Sequence, residues 1–421
     1  MDDIKKKIHQ YFIDKTDLLA VKDRLTEEQL RKYVTEKIDE LCEEHNIPLQ
    51  EMERAAVVRE IVGAMVSYGP LRPLLEDKSV TEIMVNGPQR IYVQRHGKIE
   101  LTNIQFTDHH HLMHTIQKIL AASGSSRRVD ESSPYVDFSL RDGSRANVIL
   151  PPVSLTGPCI TIRKFSTDIE NVDDLINKGM LDEKMAALLI GGIKAKLNMV
   201  FCGATGTGKT TLLNVLSRHI PAVERVVTIE DTAELRLMQD HVVSLQTKSA
   251  NIEGKGVIAI RDLFLNSLRM RPDRIIIGEI RSEEALDLIQ SIASGHSGSL
   301  AIVHADSPED CFNRMVTMTL MTGIRLASEE IKKQIANAID LIIYTELYMD
   351  GIRRITTITD VEYEPEEEQT YLRDIFHFEQ EKLKDGRIQG KWHFNPRRPT
   401  FMKKFAKRNV ELPGFFEDKK S

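Results

Sequence analysis

The spacing of apolar residues changes along the chain, and its first part has the spacing of helices. Residues 1–66 are rich in Lys, Glu, Leu and Ile, and Val57, Ile61 and Met65 recur at intervals of about one helical turn. This pattern predicts a small helical bundle, which forms the N-terminal helical segment of the chain.

Short alternating runs replace the helical spacing from residue 67 onward and predict strands. Residues 82–85 and 90–94 are examples of such runs. His96-Gly97 and Asp142-Gly143 each lie between two runs, where glycine supplies the positive φ of a tight hairpin turn. We therefore expect hairpins at both places.

One helix is predicted within this strand-rich part. Thr107 or Asp108 can cap its first turn, and Gly124 can end it just after Ser123. Strands together with this helix predict a smaller N-terminal α/β domain over residues 67–168.

The chain between the predicted domains is polar and acidic. Residues 166–177 show no clear period, which favours a linker. Compact apolar runs then alternate with helical patterns over residues 169–421, and continuous β-branched runs of this kind predict parallel strands buried on both faces. The runs are Met199–Phe201, Val226–Ile229, Ile275–Ile277 and Leu300–Val303. They predict an α/β core, followed from about Glu366 by a charged, peripheral extension of helix and loop.

Composition restricts the classes of partner. Among 421 residues, 41 % are hydrophobic and 29 % charged, as in soluble globular proteins, and the net charge of −6 disfavours a nucleic-acid partner. The charged N-terminus runs into no apolar stretch, and the most apolar segment, residues 186–193, is too short to span a bilayer. We expect a cytoplasmic protein whose membrane contact is peripheral.

The clearest motif is a glycine-rich loop between a predicted buried strand and a predicted helix. Gly203-Ala204-Thr205-Gly206-Thr207-Gly208-Lys209-Thr210 has the spacing of a P-loop, in which backbone N–H groups cradle the phosphates of ATP. Lys209 is expected to reach the β- and γ-phosphates, and the Thr210 hydroxyl to bind Mg²⁺. The alternative is a glycine-rich turn that binds no ligand. The predicted nucleotide contacts are Gly203, Thr205, Gly206, Thr207, Gly208, Lys209, Thr210 and Thr211.

An acidic residue follows the third apolar run. Glu279 comes after the buried strand at residues 275–277 and Gly278, which is how a Walker B strand presents a carboxylate to Mg²⁺. Glutamate replaces the more usual aspartate, and its extra methylene favours a contact through water. Glu279 and Thr210 are the predicted metal-binding residues. The alternative is an exposed acid at a strand end.

A cluster of acids follows the second run. Residues 230–234 lie beyond the carboxyl end of that strand, the edge at which open α/β sheets bind ligands. Glu234 is the candidate for polarising the attacking water, with Glu230 and Asp231 shaping its hydrogen bonds. A solvated acidic loop is the alternative for Glu230 and Asp231.

His304 ends the fourth run, after the segment Ser294–Ser299. A histidine at the catalytic edge can sense or stabilise the γ-phosphate, although a lone histidine is more often structural.

Taken together, these motifs resemble the secretion ATPase superfamily, the hexameric motors of type II secretion, type IV pili and type IV secretion. Its boxes occur here in order, with Walker A at residues 203–210, the Asp box at 230–234, Walker B at 271–281 and the His box at 295–304. The resemblance implies a RecA-like P-loop ATPase core and an N-terminal domain of PAS-like type.

The segment at residues 80–93 looks like the CpaF branch, which serves tight-adherence (Flp-type) pili. The four cysteines stand far apart and cannot build the zinc module that is usual in the type II secretion branch, which also favours the CpaF branch.

Family membership implies a ring of six copies that drives an inner-membrane platform protein. It also implies that ATP binds between the two domains, where Arg145 and Arg163 of the N-terminal domain reach the γ-phosphate. A surface ion pair is the alternative for either arginine. Rival functions are the ATPase of a type IV secretion or conjugation system, a motor stimulated by nucleic acid, and a scaffold that binds ATP with little turnover.

Overall fold

The computed structural model of the chain divides into two compact units, Met1–Phe165 and Ser166–Ser421. It describes residues 27–44, 51, 54–55, 57–58, 68–95, 98–123, 128–140, 142–164, 169–248, 255–384, 386–411 and 413–416. Helix α1 spans Glu27–Glu44, and the remainder of the predicted N-terminal bundle lies largely outside the described residues. Among the described residues, no helix has both the length and the apolar character needed to cross a membrane.

The first unit contains an antiparallel sheet of six strands in the order β3-β2-β1-β6-β5-β4. Its elements are a 3₁₀ turn at Gly69–Leu71, α2 Arg72–Glu76, β1 Val80–Asn86, β2 Ile91–Arg95, β3 Lys98–Leu101, α3 His109–Ala122, β4 Tyr135–Ser139, β5 Arg145–Ile149 and β6 Cys159–Arg163. The inward-facing residues of the strands, such as Ile83 of β1 and Ile162 of β6, share a buried core with Ile116 of α3. This unit is the smaller N-terminal α/β domain.

The helix cap and the hairpin turn predicted at Asp108 and Gly143 are both present in this unit. The Asp108 carboxylate accepts a hydrogen bond of 2.8 Å from the backbone N–H of His111 and caps α3. Gly143, at a φ of 86°, turns the chain between β4 and β5. The hairpin predicted at His96-Gly97 lies outside the described residues.

The second unit contains nine strands in the order β15-β14-β13-β12-β7-β11-β10-β8-β9. Its helices are α4 Val172–Asn177, α5 Glu183–Lys194, α6 Lys209–Ser217, α7 Ile260–Ser267, α8 Glu284–Ala293, α9 Pro308–Met321, α10 Ser328–Ala338 and α11 Met402–Lys407, with 3₁₀ turns at Leu268–Met270 and Gly414–Phe416. Its strands are β7 Met199–Cys202, β8 Val226–Glu230, β9 Val242–Gln246, β10 Arg274–Ile277, β11 Leu300–Val303, β12 Leu341–Leu347, β13 Arg353–Glu364, β14 Gln369–Lys384 and β15 Arg387–Phe394.

The parallel core is confirmed. In the part of the sheet ordered β12-β7-β11-β10-β8-β9, every pair of neighbouring strands is parallel. Every residue of β7 is buried. Met199 and Phe201 belong to the core on one face of the sheet, and Val200 and Cys202 to the core on the other. A strand buried on both faces needs a continuous apolar run, as the sequence has.

The segment predicted as a linker contains a helix. In α4, the Asn171 side chain accepts from the backbone N–H of Asp174 at 2.9 Å, and the Asp174 carboxylate accepts from the N–H of Asn171 at 3.0 Å. This reciprocal capping starts a helix of six residues, which is too short to show a period in the sequence.

The predicted helical extension after Glu366 is wrong. This part of the chain forms β14 and β15, with β14 paired antiparallel to both β13 and β15, and the short helix α11 follows. Several of its charged residues, such as Glu379, Glu381 and Lys382, lie on exposed positions of β14. The apolar residues Phe376, Phe394 and Phe415 meet in an aromatic cluster that holds the strands in place.

Candidate active site

The P-loop leaves the carboxyl end of β7 and enters α6 in a conformation that requires glycine. Gly203, Gly206 and Gly208 have φ angles of 146°, 82° and 95°. A Cβ atom on residue 203 would lie 2.2 Å from the Thr345 carbonyl oxygen, so the loop passes β12 too closely for any side chain. The loop predicted from the sequence is therefore present with its expected strand and helix.

Lys209 spans the P-loop from the first turn of α6. Its Nζ donates to the carbonyl oxygens of Gly203 at 2.8 Å and Ala204 at 2.6 Å. Because an ammonium group has three N–H donors, one more is available for an anion in the same loop. Burial lowers the pKa of Lys209, and the nearby charges of Glu279 and Glu234 oppose that shift.

Glu279 lies just beyond β10, between two basic side chains. Its Oε2 accepts a hydrogen bond of 2.6 Å from Arg281 Nη2, and its Oε1 is 3.5 Å from His304 Nε2. The Arg281 Nη1 atom is also 3.8 Å from an Asp231 carboxylate oxygen. The carboxylate thus keeps a defined orientation at the end of the strand.

His304 follows β11, the strand between β7 and β10. Burial lowers the pKa of His304, and the positive charge of Lys209 lowers it further against the opposing effect of Glu279. A lowered pKa favours the neutral imidazole, which can donate one hydrogen bond and accept another.

Glu230 shapes the acidic loop after β8. Its Oε1 accepts from the backbone N–H groups of Glu234 at 2.8 Å and Leu235 at 2.9 Å, and the residue is only 3 % exposed. The solvated-loop alternative is therefore wrong for Glu230, whereas Asp231 is exposed and bonds to Thr247. Glu230 also packs on the turn before Glu279, where a Cβ on Gly278 would lie 2.8 Å from Glu230 Cγ.

The strand order β7-β11-β10-β8 places four of the predicted features side by side along the carboxyl edge of the sheet. These features are the P-loop, His304, Glu279 and the loop that carries Glu234. The set offers backbone amides and an ammonium group for phosphates. The Thr210 hydroxyl, in the first turn of α6, and the Glu279 carboxylate are hard oxygen ligands of the kind that Mg²⁺ prefers.

The two candidate arginines of the N-terminal domain lie next to each other. Arg145 of β5 and Arg163 of β6 are cross-strand partners, and Arg163 is also the partner of Glu82 on β1. Both arginines are exposed. Their assignment to the γ-phosphate stays a prediction.

Sequence reasoning gave no role to three residues that contact this edge. Arg281 stands only two positions after Glu279, so a search for charges near the Walker B acid could have found it. Thr345 and Arg353 come from β12 and β13, about 140 residues after the P-loop, and no local sequence pattern predicts their contacts with the loop.

Known proteins match this chain over most of its length. The family described as "Type II/IV secretion system protein" matches residues 65–366. A putative conjugal transfer protein of Mycobacterium tuberculosis is 32 % identical over 316 residues, which cover 74 % of this chain and 89 % of that protein. The type IV secretion system protein VirB11 of Brucella suis is 30 % identical over 342 residues, which cover 74 % and 92 %.

A solved structure supports the fold. The pilus retraction motor PilT, crystallised with ADP, has a TM-score of 0.50 and 17 % identity, over 72 % of this chain and 82 % of that one. The shared architecture is a RecA-like α/β core with a smaller N-terminal α/β domain. By its motifs, its fold and these matches, the chain belongs to the type II/IV secretion system protein family.

Proposed function

We propose that this protein hydrolyses ATP with Mg²⁺ at the carboxyl edge of the second unit. The observation that carries the proposal is that the P-loop with Lys209 lies at the same edge of the sheet as Glu279 and His304, whose side chains are 3.5 Å apart. The amides of the loop and Lys209 would hold the β- and γ-phosphates, and Thr210 with Glu279 would hold Mg²⁺. Bound Mg²⁺ would neutralise charge on the phosphates during transfer.

Glu234 is the proposed group that orients the attacking water. Glu230 fixes the backbone of residues 234 and 235, so the Glu234 side chain starts from a defined position. Arg145 and Arg163, as adjacent cations, would add charge to the γ-phosphate once they approach it, and hydrolysis would then depend on conformation.

The proposed biological role is that of a ring of six copies that moves an inner-membrane platform protein during assembly of a tight-adherence (Flp-like) pilus. The protein would act from the cytoplasmic face of the membrane, peripherally and through that partner, with no nucleic acid bound directly. The CpaF-like segment at residues 80–93 supports this branch.

A second candidate is the ATPase of a type IV secretion or conjugation system. The conjugal transfer and VirB11 relatives favour it. Gene neighbourhood distinguishes the two candidates: genes for a membrane platform protein and small prepilins support the pilus, and genes for DNA transfer support the rival.

The direct test measures ATP hydrolysis with Mg²⁺ over a range of protein concentrations, with and without DNA. We expect activity that rises cooperatively as the ring assembles, is indifferent to DNA, and falls by at least about a hundredfold in Glu234→Gln, a change that keeps the shape of the side chain. Activity that requires DNA would overturn the proposed role. Activity that survives the substitution would overturn the assignment of Glu234.

A further inference from the structure

The P-loop is held from outside by the hairpin that connects β12 to β13. Thr345 Oγ1 lies 2.9 Å from Thr207 Oγ1 and donates to the Cys202 carbonyl at 3.2 Å. Arg353 Nε donates to the Gly206 carbonyl at 2.7 Å. The hairpin therefore contacts the loop at its base and at its tip.

The Arg353 side chain also lies along the last turn of the loop. A Cβ on Gly208 would be 3.1 Å from Arg353 Cδ, which is closer than most real contacts of that kind. Gly208, at a φ of 95°, is also the residue that caps α6. Arg353 thus touches the loop on both sides of Thr207.

The bond from Arg353 determines which way one peptide group faces. In a trans peptide the C=O and N–H groups point in opposite directions. Because Arg353 holds the Gly206 oxygen, the N–H of the same peptide group, that of Thr207, points away from Arg353, which is the direction it needs to reach a phosphate within the loop. Glycine at 206 offers no side chain to restrict this peptide, so the orientation depends on a partner.

The hairpin that carries Arg353 is itself fixed. The Asp350 carboxylate accepts bonds of 3.0 and 2.7 Å from the two Nη atoms of Arg354, and a third of 3.0 Å from the N–H of Ile388 in β15. The Arg354 guanidinium lies over the rings of both Tyr348 and Phe378, at 5.0 and 5.3 Å from their centroids. The antiparallel strands therefore give Arg353 a rigid base.

We propose that Arg353 is a positioning residue that presents the Thr207 amide to the nucleotide phosphates. The assignment rests on the proposed function, because it requires that the P-loop binds ATP. The antiparallel strands β13, β14 and β15 would thus contribute to the site, because they set the position of Arg353.

The test uses the full chain and a fluorescent N-methylanthraniloyl derivative of ATP, with Mg²⁺ present. In Arg353→Ala we expect the Kd for this nucleotide and the KM for ATP to rise about tenfold, the size of effect for losing a bond to a charged donor near solvent. We expect kcat to stay within about twofold, because the amide serves the ground state and the transition state alike. Arg353→Lys, which keeps a cationic donor, should recover most of the affinity.

Met349→Ala is the matched control, because Met349 lies on the same hairpin and is 95 % exposed. Fluorescence of Trp392, the single tryptophan of the chain, shows that each variant is folded. Unchanged affinity in Arg353→Ala, or an equal loss in Met349→Ala, would overturn the assignment of Arg353 while wild-type binding leaves the proposed function standing. Absence of nucleotide binding by the wild-type protein would overturn both.

Discussion

Arg281 Nη2 donates to Glu279 Oε2 at 2.6 Å, so the acid at the end of β10 is oriented by a residue only two positions further along the chain. The Arg281 side chain is 60 % exposed, and an ion pair with so much solvent access contributes little to folding. Its effect is on the direction in which the Glu279 carboxylate points.

Replacing Arg281 with Ala should therefore lower activity without lowering stability. We expect kcat to fall between about tenfold and a hundredfold, the range for a catalytic group displaced by about 1 Å, while the melting temperature stays within about 2 °C. Steady-state hydrolysis and thermal unfolding, measured on one preparation, check both parts. Arg269, an exposed arginine on the 3₁₀ turn that precedes β10, provides the control. An equal loss of activity in Arg269→Ala would show that the loss comes from removing a positive charge and not from the bond to Glu279.

Gly278→Ala should disturb the loop that carries Glu234. The new Cβ would lie 2.8 Å from Glu230 Cγ, and the buried Glu230 side chain can yield only by weakening its bonds to the N–H groups of Glu234 and Leu235. We expect a loss of about 1–3 kcal/mol in the free energy of unfolding, with a fall in kcat. Urea unfolding and hydrolysis assays measure the two effects.

Gly414→Ala is the control for this change, since a Cβ at residue 414 meets no atom of the described residues within 4 Å. It should leave both quantities unchanged. A stable and fully active Gly278→Ala protein would contradict the supporting role of Glu230.

The buried pair of Arg274 and Glu224 should matter for stability. Arg274 bonds to Glu224 at 3.0 Å and to the carbonyls of Ile193 and Gly298, each at 2.9 Å, and its side chain is 0 % exposed. Arg274→Met should cost about 3–5 kcal/mol in the free energy of unfolding, because Glu224 is left as a buried charge whose remaining cation, Lys196, is 3.5 Å away.

The double variant Arg274→Met/Glu224→Leu removes both charges and should recover part of that loss. Urea unfolding of the single and double variants measures the difference. If the double variant is less stable than Arg274→Met, the unpaired charge is not the cause.

The contribution of Asp350 to the stability of the β12–β13 hairpin should fall at low pH. Hydrogen bonds from Arg354 and from backbone N–H groups hold the pKa of the Asp350 carboxyl well below its usual range. A carboxyl whose pKa is lowered on folding stabilises the folded state above its unfolded pKa, near about 4, and this contribution is lost as the pH falls below that value.

The stability difference between the wild type and Asp350→Asn should accordingly be constant from about pH 7 to pH 5 and shrink below about pH 4. Trp392 is a suitable probe, because its Nε1 donates to the Ile355 carbonyl at 2.7 Å and its ring packs on Phe378. A difference that stays constant down to about pH 2 would mean that folding does not lower the pKa of the Asp350 carboxyl.

The parallel core and its catalytic edge could be predicted because their signals are local. A strand buried on both faces needs a continuous apolar run, so β7, β8, β10 and β11 stand out in the sequence. Parallel strands in one sheet bring their carboxyl ends to one edge. The P-loop, Glu279, His304 and the acids after β8 were therefore expected together before any distance was known.

Tertiary structure decided which of these acids is buried. Glu230 and Asp231 are neighbours in sequence, yet Glu230 turns into the protein and binds backbone N–H groups, whereas Asp231 faces solvent. Whether a carboxylate of this loop is buried depends on the segments that pack against it, and the composition of the loop alone does not predict those contacts.

By itself, the sequence determined the α/β core, the position of the P-loop and the family resemblance, since each depends on residues close together in the chain. Only the tertiary structure decided that the charged segment after Glu366 forms strands, and that Arg353 reaches Gly206 across 147 positions. The physical reason is that strand pairing and contacts between distant segments depend on the packing of the whole sheet, which no local pattern of charge or apolar residues encodes.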